Sequence, residues 1–201
     1  SLYFVYLTKI SILLELNEYL KIIELLDRMV ILFPKKKKTL LLKKSSIYKN
    51  LPSSKKGFTI IETLLQSYPN DNELLLHKAF WQQYFSQKAD ALATMDTLIK
   101  QSSQNFLYLF TKGTILVSFE DYNSALAHFR KAAELAQLNI DKARNNIMIG
   151  ICLKELGNTS EAQEFLHSGI NFCQMGFCAR NEKHNWNSIA KLYLKMIEAA
   201  L

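Results

Sequence analysis

The sequence predicts an all-α solenoid built from pairs of antiparallel helices, and three observations carry that prediction. The 201 residues include only six Gly and three Pro, too little material for the tight turns of a many-stranded sheet. Long stretches are rich in Leu, Lys, Ala, Glu and Gln, which are good helix formers. A set of small and large residues also recurs along the chain at a nearly constant step, which is how stacked structural repeats announce themselves. With 49% apolar residues, the chain can fill one core or a short solenoid.

Five units follow in order. The first places Ile10, Ile22, Leu26, Met29 and Pro34, and the second Ser45, Gly57, Ile61, Leu64 and Pro69. The third places Ala79, Ala91, Met95 and Leu98, and the fourth Gly113, Ala125, Phe129 and Ala132. The fifth ends the series with Gly150, Ala162, Leu166 and Gly169, so the leading positions 10, 45, 79, 113 and 150 are separated by 35, 34, 34 and 37 residues. Small residues belong where paired helices cross, because a larger side chain would push the axes apart. The large residue four positions on fills the gap beside the crossing, since i and i+4 share a helix face. Pro34 and Pro69 close their units because proline cannot continue a helix. Ile10 and Ile22 stand at small positions and imply wider spacing in the first pair, or a compensating neighbour.

Breaks within the pairs fall at Glu15–Glu18, Asn50–Ser54, Ser86–Lys88, Glu120–Tyr122 and Leu156–Ser160, where Asn, Asp, Ser and Gly are available as caps. Tyr68–Asp71 separates the second and third units. The longer last step predicts that the second helix of unit four extends by almost one turn. Between residues 183 and 201, Trp186, Ile189, Ala190, Leu192, Tyr193, Met196 and Ile197 keep helical spacing. A helix here is expected to cover the last unit's apolar face, as solenoid ends require.

The small-and-large pattern resembles the tetratricopeptide repeat, a helix-turn-helix unit of about 34 residues. That resemblance implies one right-handed superhelical domain over 1–201, with repeats at about 3–37, 38–71, 72–105, 106–142 and 143–176, and a capping helix at about 183–201. The start at Ser1, inside a helical pattern, reads as a fragment of a longer chain. It also implies that the first helix of each pair lines a concave groove. Carried over residue by residue, groove positions include Phe4, Leu14 and Glu15, then Thr39, Leu42, Lys43, Ser46 and Lys49, then Glu73, Leu76, His77, Phe80 and Tyr84. Later units contribute Leu107, Phe110 and Val117, then Ile147, Met148 and Ile151. Apolar residues exposed in a groove mark a partner site. The implied function is a protein-interaction scaffold or adaptor in a multiprotein complex, holding a helical or extended segment with acidic residues. The alternative is a peptide-responsive regulator fused to another domain. Repeats that grip the acidic tails of heat-shock chaperones use a Lys, Asn and Arg cluster. At the matching positions this chain has Leu7, Ser11, Lys43, Glu73 and His77, so no carboxylate clamp is expected.

The net charge of +7 is local. Nine lysines and no acid lie between Lys35 and Lys56, leaving 16 bases against 18 acids elsewhere. Lys35, Lys36, Lys37, Lys38, Lys43 and Lys49 therefore form a basic edge. Nucleic acid is disfavoured as its ligand, because only Tyr48 is available there to stack on a base. His167, Cys173, Cys178 and His184 lack the close pairs of a zinc site, so no metal and no cofactor is expected. Nor is there a phosphate loop, a nucleophile elbow or a His-Glu-x-x-His motif, and no catalytic residue is predicted. The longest apolar stretch, Leu2 to Leu16, is interrupted by Lys9 and Glu15 and falls short of a membrane span. Three cysteines are an odd count and point to a reducing, intracellular setting, cytoplasmic or nuclear.

Overall fold

The computed structural model describes residues 2–175 and 180–199, with the side chains of 180–184 left aside. Among the described residues there are eleven α-helices and no strand. They run α1 (Leu2–Glu15), α2 (Tyr19–Leu32), α3 (Lys37–Ile47), α4 (Lys55–Ser67), α5 (Asn72–Tyr84), α6 (Lys88–Gln101), α7 (Phe106–Ser118), α8 (Tyr122–Leu135), α9 (Asn139–Glu155), α10 (Thr159–Met175) and α11 (Arg180–Glu198). They form two compact units, residues 1–85 with α1 to α5 and residues 86–201 with α6 to α11.

The turns inside the pairs share one device. Asn17, Ser86, Glu120 and Gly157 all have positive φ, between +57° and +85°, and occupy the same place in their repeats. This left-handed residue ends one helix, and within the units, at Asn17, Glu120 and Gly157, it lets the next run back. In the second repeat the equivalent position is Pro52, whose ring excludes positive φ. The turn there is rebuilt as a short 3-10 turn at Tyr48–Asn50, and α4 starts at Lys55. Caps are fewer than the turn composition suggests: Asp71, Asn105 and Asp121 accept from the amides of Leu74, Tyr108 and Ser124.

Helix crossings fall on the small residues. A Cβ on Gly113 would lie 2.6 Å from the Phe129 ring, and one on Gly169 would lie 2.5 Å from Ile147. In unit 1 the crossing is polar. The buried Ser45 hydroxyl donates to the Gly57 carbonyl (2.8 Å) and accepts from Trp81 Nε1 (2.8 Å), so neither buried group is orphaned. Ile10 and Ile22 are both buried, in a cluster with Leu26, Met29 and Leu40. Tyr3 and Tyr6 meet Phe33 edge-on beside it.

One expectation is corrected. α8 does not extend; at 14 residues it is as long as α2 and α6. The extra residues of the last step lie at the start of the 17-residue α9, while the link after Leu135 has three residues against four after Gln101. The C-terminal helix begins at Arg180 rather than 183, and buries Ala190, Leu194 and Ile197 in the core of unit 2.

Candidate functional site

In unit 1, α1, α3 and α5 surround an open cleft of about 370 Å³. Its floor is apolar and buried, made by Ile10, Leu26, Leu42 and Ile47. Leu14, 41% exposed, and the exposed Thr39 and Ser46 form its walls. Lys43, Glu73 and His77 stand at its rim. Helical spacing accounts for the set: Thr39, Leu42, Lys43 and Ser46 lie at i, i+3, i+4 and i+7 of α3 and share one face, and Glu73 and His77 do the same on α5. The Ser46 hydroxyl donates back to the Leu42 carbonyl at 3.2 Å.

The charges at the rim differ in their freedom. Lys38 bridges Asp71 (2.5 Å) and Glu73 (3.0 Å). Its hydrogen bonds to Asp71 and Glu73 raise the amine above its ordinary value. Burial pushes the Asp71 carboxyl up, but Lys38 and the Leu74 amide outweigh it and hold the group low. Burial holds the His77 imidazole below its ordinary value, and the nearby Glu73 only partly offsets this. Lys43 is exposed and has no ion pair among the described residues, so it remains available to an incoming anion.

Farther along α5 the basic and aromatic residues meet, which the sequence had placed at opposite ends of a groove. The Lys49 ammonium lies 5.6, 5.1 and 5.8 Å from the ring centres of Phe80, Trp81 and Tyr84. The Tyr84 hydroxyl donates to the Lys49 carbonyl at 3.3 Å. Burial lowers the Lys49 amine from its usual value. Lys49 is thus part of an aromatic cluster rather than of a free basic edge, and Lys38 is neutralised by two acids. Lys35, Lys36, Lys37 and Lys43 remain exposed. Leu76 and Phe80 are half-buried, and Tyr84 is exposed.

Unit 2 corrects four expected groove residues. Phe110, Ile147, Met148 and Ile151 are buried in its core cluster. The reason is α11, whose Ala190, Leu194 and Ile197 join that cluster and whose Trp186 ring lies 6.3 Å from Phe110. The Arg144 guanidinium completes the cover, 4.9 Å from Phe106 and 4.8 Å from Phe110, while pairing with Asp141 at 2.8 Å. Leu107 stays exposed and Val117 half-buried. Cys152 and Cys173 are buried, and burial pushes the Cys152 thiol up to about 12. Cys178 and the side chain of His184 lie outside the described residues. Among the described residues, no helix is long and apolar enough to cross a membrane.

Helix pairs joined by left-handed turns at Asn17, Glu120 and Gly157, with Gly57, Gly113, Gly150 and Gly169 at close helix contacts, resemble the tetratricopeptide pattern. Residues 107–137 match the tetratricopeptide repeat family, so the chain carries a tetratricopeptide repeat there. Solved structures share the fold at low identity. MamA AMB-1 is 15% identical with a TM-score of 0.58, the match covering 85% of this chain and 99% of that one. MamA 41-end from Desulfovibrio magneticus RS-1 is 13% identical with a TM-score of 0.61, covering 87% and 96%. YrrB, described as a TPR protein with an unusual peptide-binding site, is 17% identical with a TM-score of 0.53, covering 83% and 84%. No curated protein matches the sequence.

Proposed function

We propose that the chain is a protein-interaction scaffold or adaptor that holds a segment of another protein in the cleft of α1, α3 and α5, as part of a multiprotein complex. The carrying observation is the cleft itself. It pairs a buried apolar floor with accessible walls and an uncommitted cation, Lys43. Binding sites of this type are concave and mostly apolar, with a few polar groups that fix orientation. The occupant is a helical or extended segment with apolar anchors over Leu14, Leu42 and Ile47 and an acidic residue reaching Lys43. His77, kept neutral by burial, adds a hydrogen-bonding group without a competing charge. The tetratricopeptide fold supports the reading, since its solenoids use concave faces for binding, and YrrB is a relative in fold with a peptide-binding site.

The test is selection of peptides from a random display library against the whole chain, followed by titration of the winners. Leu14→Asp and Lys43→Glu should each weaken a selected acidic peptide by about tenfold or more, the scale of an interface hot spot. Ile31→Asp, on the exposed surface of α2, should leave it unchanged. Selected peptides that bind the two cleft variants as well as the parent chain would remove the cleft as the site.

A further inference from the structure

Helix α1 leaves a second apolar surface open, on its side away from the cleft. Val5 is 62% and Ile12 53% exposed, with Lys9 between them at i+4 and i+7 spacing on one face. The same two repeat positions are buried in the helices that follow: Leu40 and Ile47 in α3, Leu74 and Trp81 in α5, Tyr108 and Ile115 in α7. What buries them is the second helix of the preceding pair. α2 brings Ile23 and Val30 to the cluster containing Leu40 and Ile47, and α4 brings Phe58 and Leu65 to the cluster containing Leu74 and Trp81.

Charge follows the same register. The position of Lys9 recurs as Lys44, Lys78 and Lys112. Lys44 pairs with Asp27 of α2, and Lys112 pairs with Asp96 of α6 at 2.6 Å. Each acid sits between two apolar residues, as Ile23-Asp27-Val30 and Leu92-Asp96-Ile99, and α4 repeats the pattern as Phe58-Glu62-Leu65. Where the acid is lost, so is the lysine: α8 has Arg130 at the acidic position and α9 has Ile149 facing it in register. Lys9 keeps the basic half of this pair and has no ion pair among the described residues.

We infer that the outer face of α1 seats a partner α-helix carrying an acidic residue flanked by apolar residues four before and three after, with the acid on Lys9 and the apolar pair over Val5 and Ile12. A second copy of the chain does not supply it. Its three stripes in repeat register already serve α3, α5 and α7, α10 has Gln163, His167 and Ile170 in those places, and Leu194, which has the same spacing to Glu198, is buried in the core of unit 2. This surface is separate from the cleft, whose α1 residues are Ile10 and Leu14.

The experiment uses the whole chain and a fluorescein-labelled, helix-stapled peptide of residues 87–101, which displays Leu92, Asp96 and Ile99. Fluorescence anisotropy should show saturable binding. Lys9→Glu in the protein, or Asp96→Lys in the peptide, should each weaken it by about tenfold, because like charges meet across the interface. The two changes together should restore it, while Val5→Asp should remove it. Leu14→Asp should have no effect, so failure here and failure of the cleft reading are separable. The inference is overturned if the peptide does not bind, or if its binding ignores the charge reversal. It is equally overturned if sedimentation shows a dimer that Val5→Asp dissociates, since a second copy then covers the face. Lys9 is exposed, so its variant is expected to fold, and circular dichroism confirms that before titration.

Discussion

Replacing Ser45 with Ala isolates the polar crossing at the centre of unit 1. The variant keeps the small volume that the crossing needs but removes the acceptor for Trp81 Nε1, whose side chain is only 1% exposed. A buried donor left without a partner costs about 1–3 kcal/mol. The lost bond from Ser45 to the Gly57 carbonyl adds about 1 kcal/mol, with that carbonyl still inside α4. Unit 1 should therefore lose about 2–4 kcal/mol, equivalent to a fall of about 1–2 M in the urea midpoint at common denaturant slopes. The assay is convenient because the two tryptophans fall one in each unit, Trp81 and Trp186. In a Trp186→Phe background, tryptophan fluorescence reports unit 1 alone. A double-mutant cycle with Trp81→Phe, followed by circular dichroism, completes the argument. Once the indole donor is gone, Ser45→Ala should cost only about 1 kcal/mol. Equal costs in both backgrounds would refute the idea that Ser45 is retained for the indole.

Phe110→Asp should unfold unit 2 rather than alter partner binding. It puts a carboxylate into a core that Phe129, Trp186 and Arg144 enclose, and loss of the Trp186 fluorescence shift and of helix signal would register it. Gly113→Ala should destabilise unit 2 by about 1–2 kcal/mol, since overpacking against Phe129 exceeds the gain in helix propensity; thermal unfolding measures it. The pH dependence of unit 1 should carry the mark of His77. Its imidazole is held below 6.5 in the folded state, so as pH falls through 6.5 the unfolded chain takes up the proton first. Stability present above that pH should decline as the pH falls below it, and His77→Gln should flatten the decline in Trp81-monitored urea midpoints. Lys49→Met should lower unit 1 stability by about 0.5–2 kcal/mol, because it keeps the aliphatic length but removes the charge facing three rings.

The repeat was legible because crossing positions leave a chemical trace. Gly113 with Ala125 and Phe129, and Gly150 with Ala162 and Leu166, can be read from spacing, and the structure packs them as that spacing requires. Much of the unit 1 cleft was legible for the same reason, with Leu14, Thr39, Leu42, Lys43, Ser46, Glu73 and His77 named by position. Ile10, Leu26 and Ile47 were missed as its floor. A residue two helices share looks like core from either helix alone. The fate of Phe110, Ile147, Met148 and Ile151 was not legible, because the i, i+3, i+4 pattern is identical for a residue facing solvent and one facing a helix that folds back from residue 180 onward. Lys49 misled because charge counted along the chain ignores the rings that Phe80, Trp81 and Tyr84 bring to it from α5. The length of α8 was misjudged because a long step can be absorbed by a link or by the next helix as readily as by the previous one.

The most direct test of the central claim, that the cleft of α1, α3 and α5 holds the partner, is site-specific photo-crosslinking. A photoreactive phenylalanine analogue is placed at Leu14, at Ser46 or at Ile31, and each protein is irradiated with the peptide selected against the whole chain. Crosslinks from positions 14 and 46, none from 31, and loss of both by Lys43→Glu is the predicted result. Crosslinks from position 31, with none from 14 or 46, would place the partner elsewhere and contradict the account.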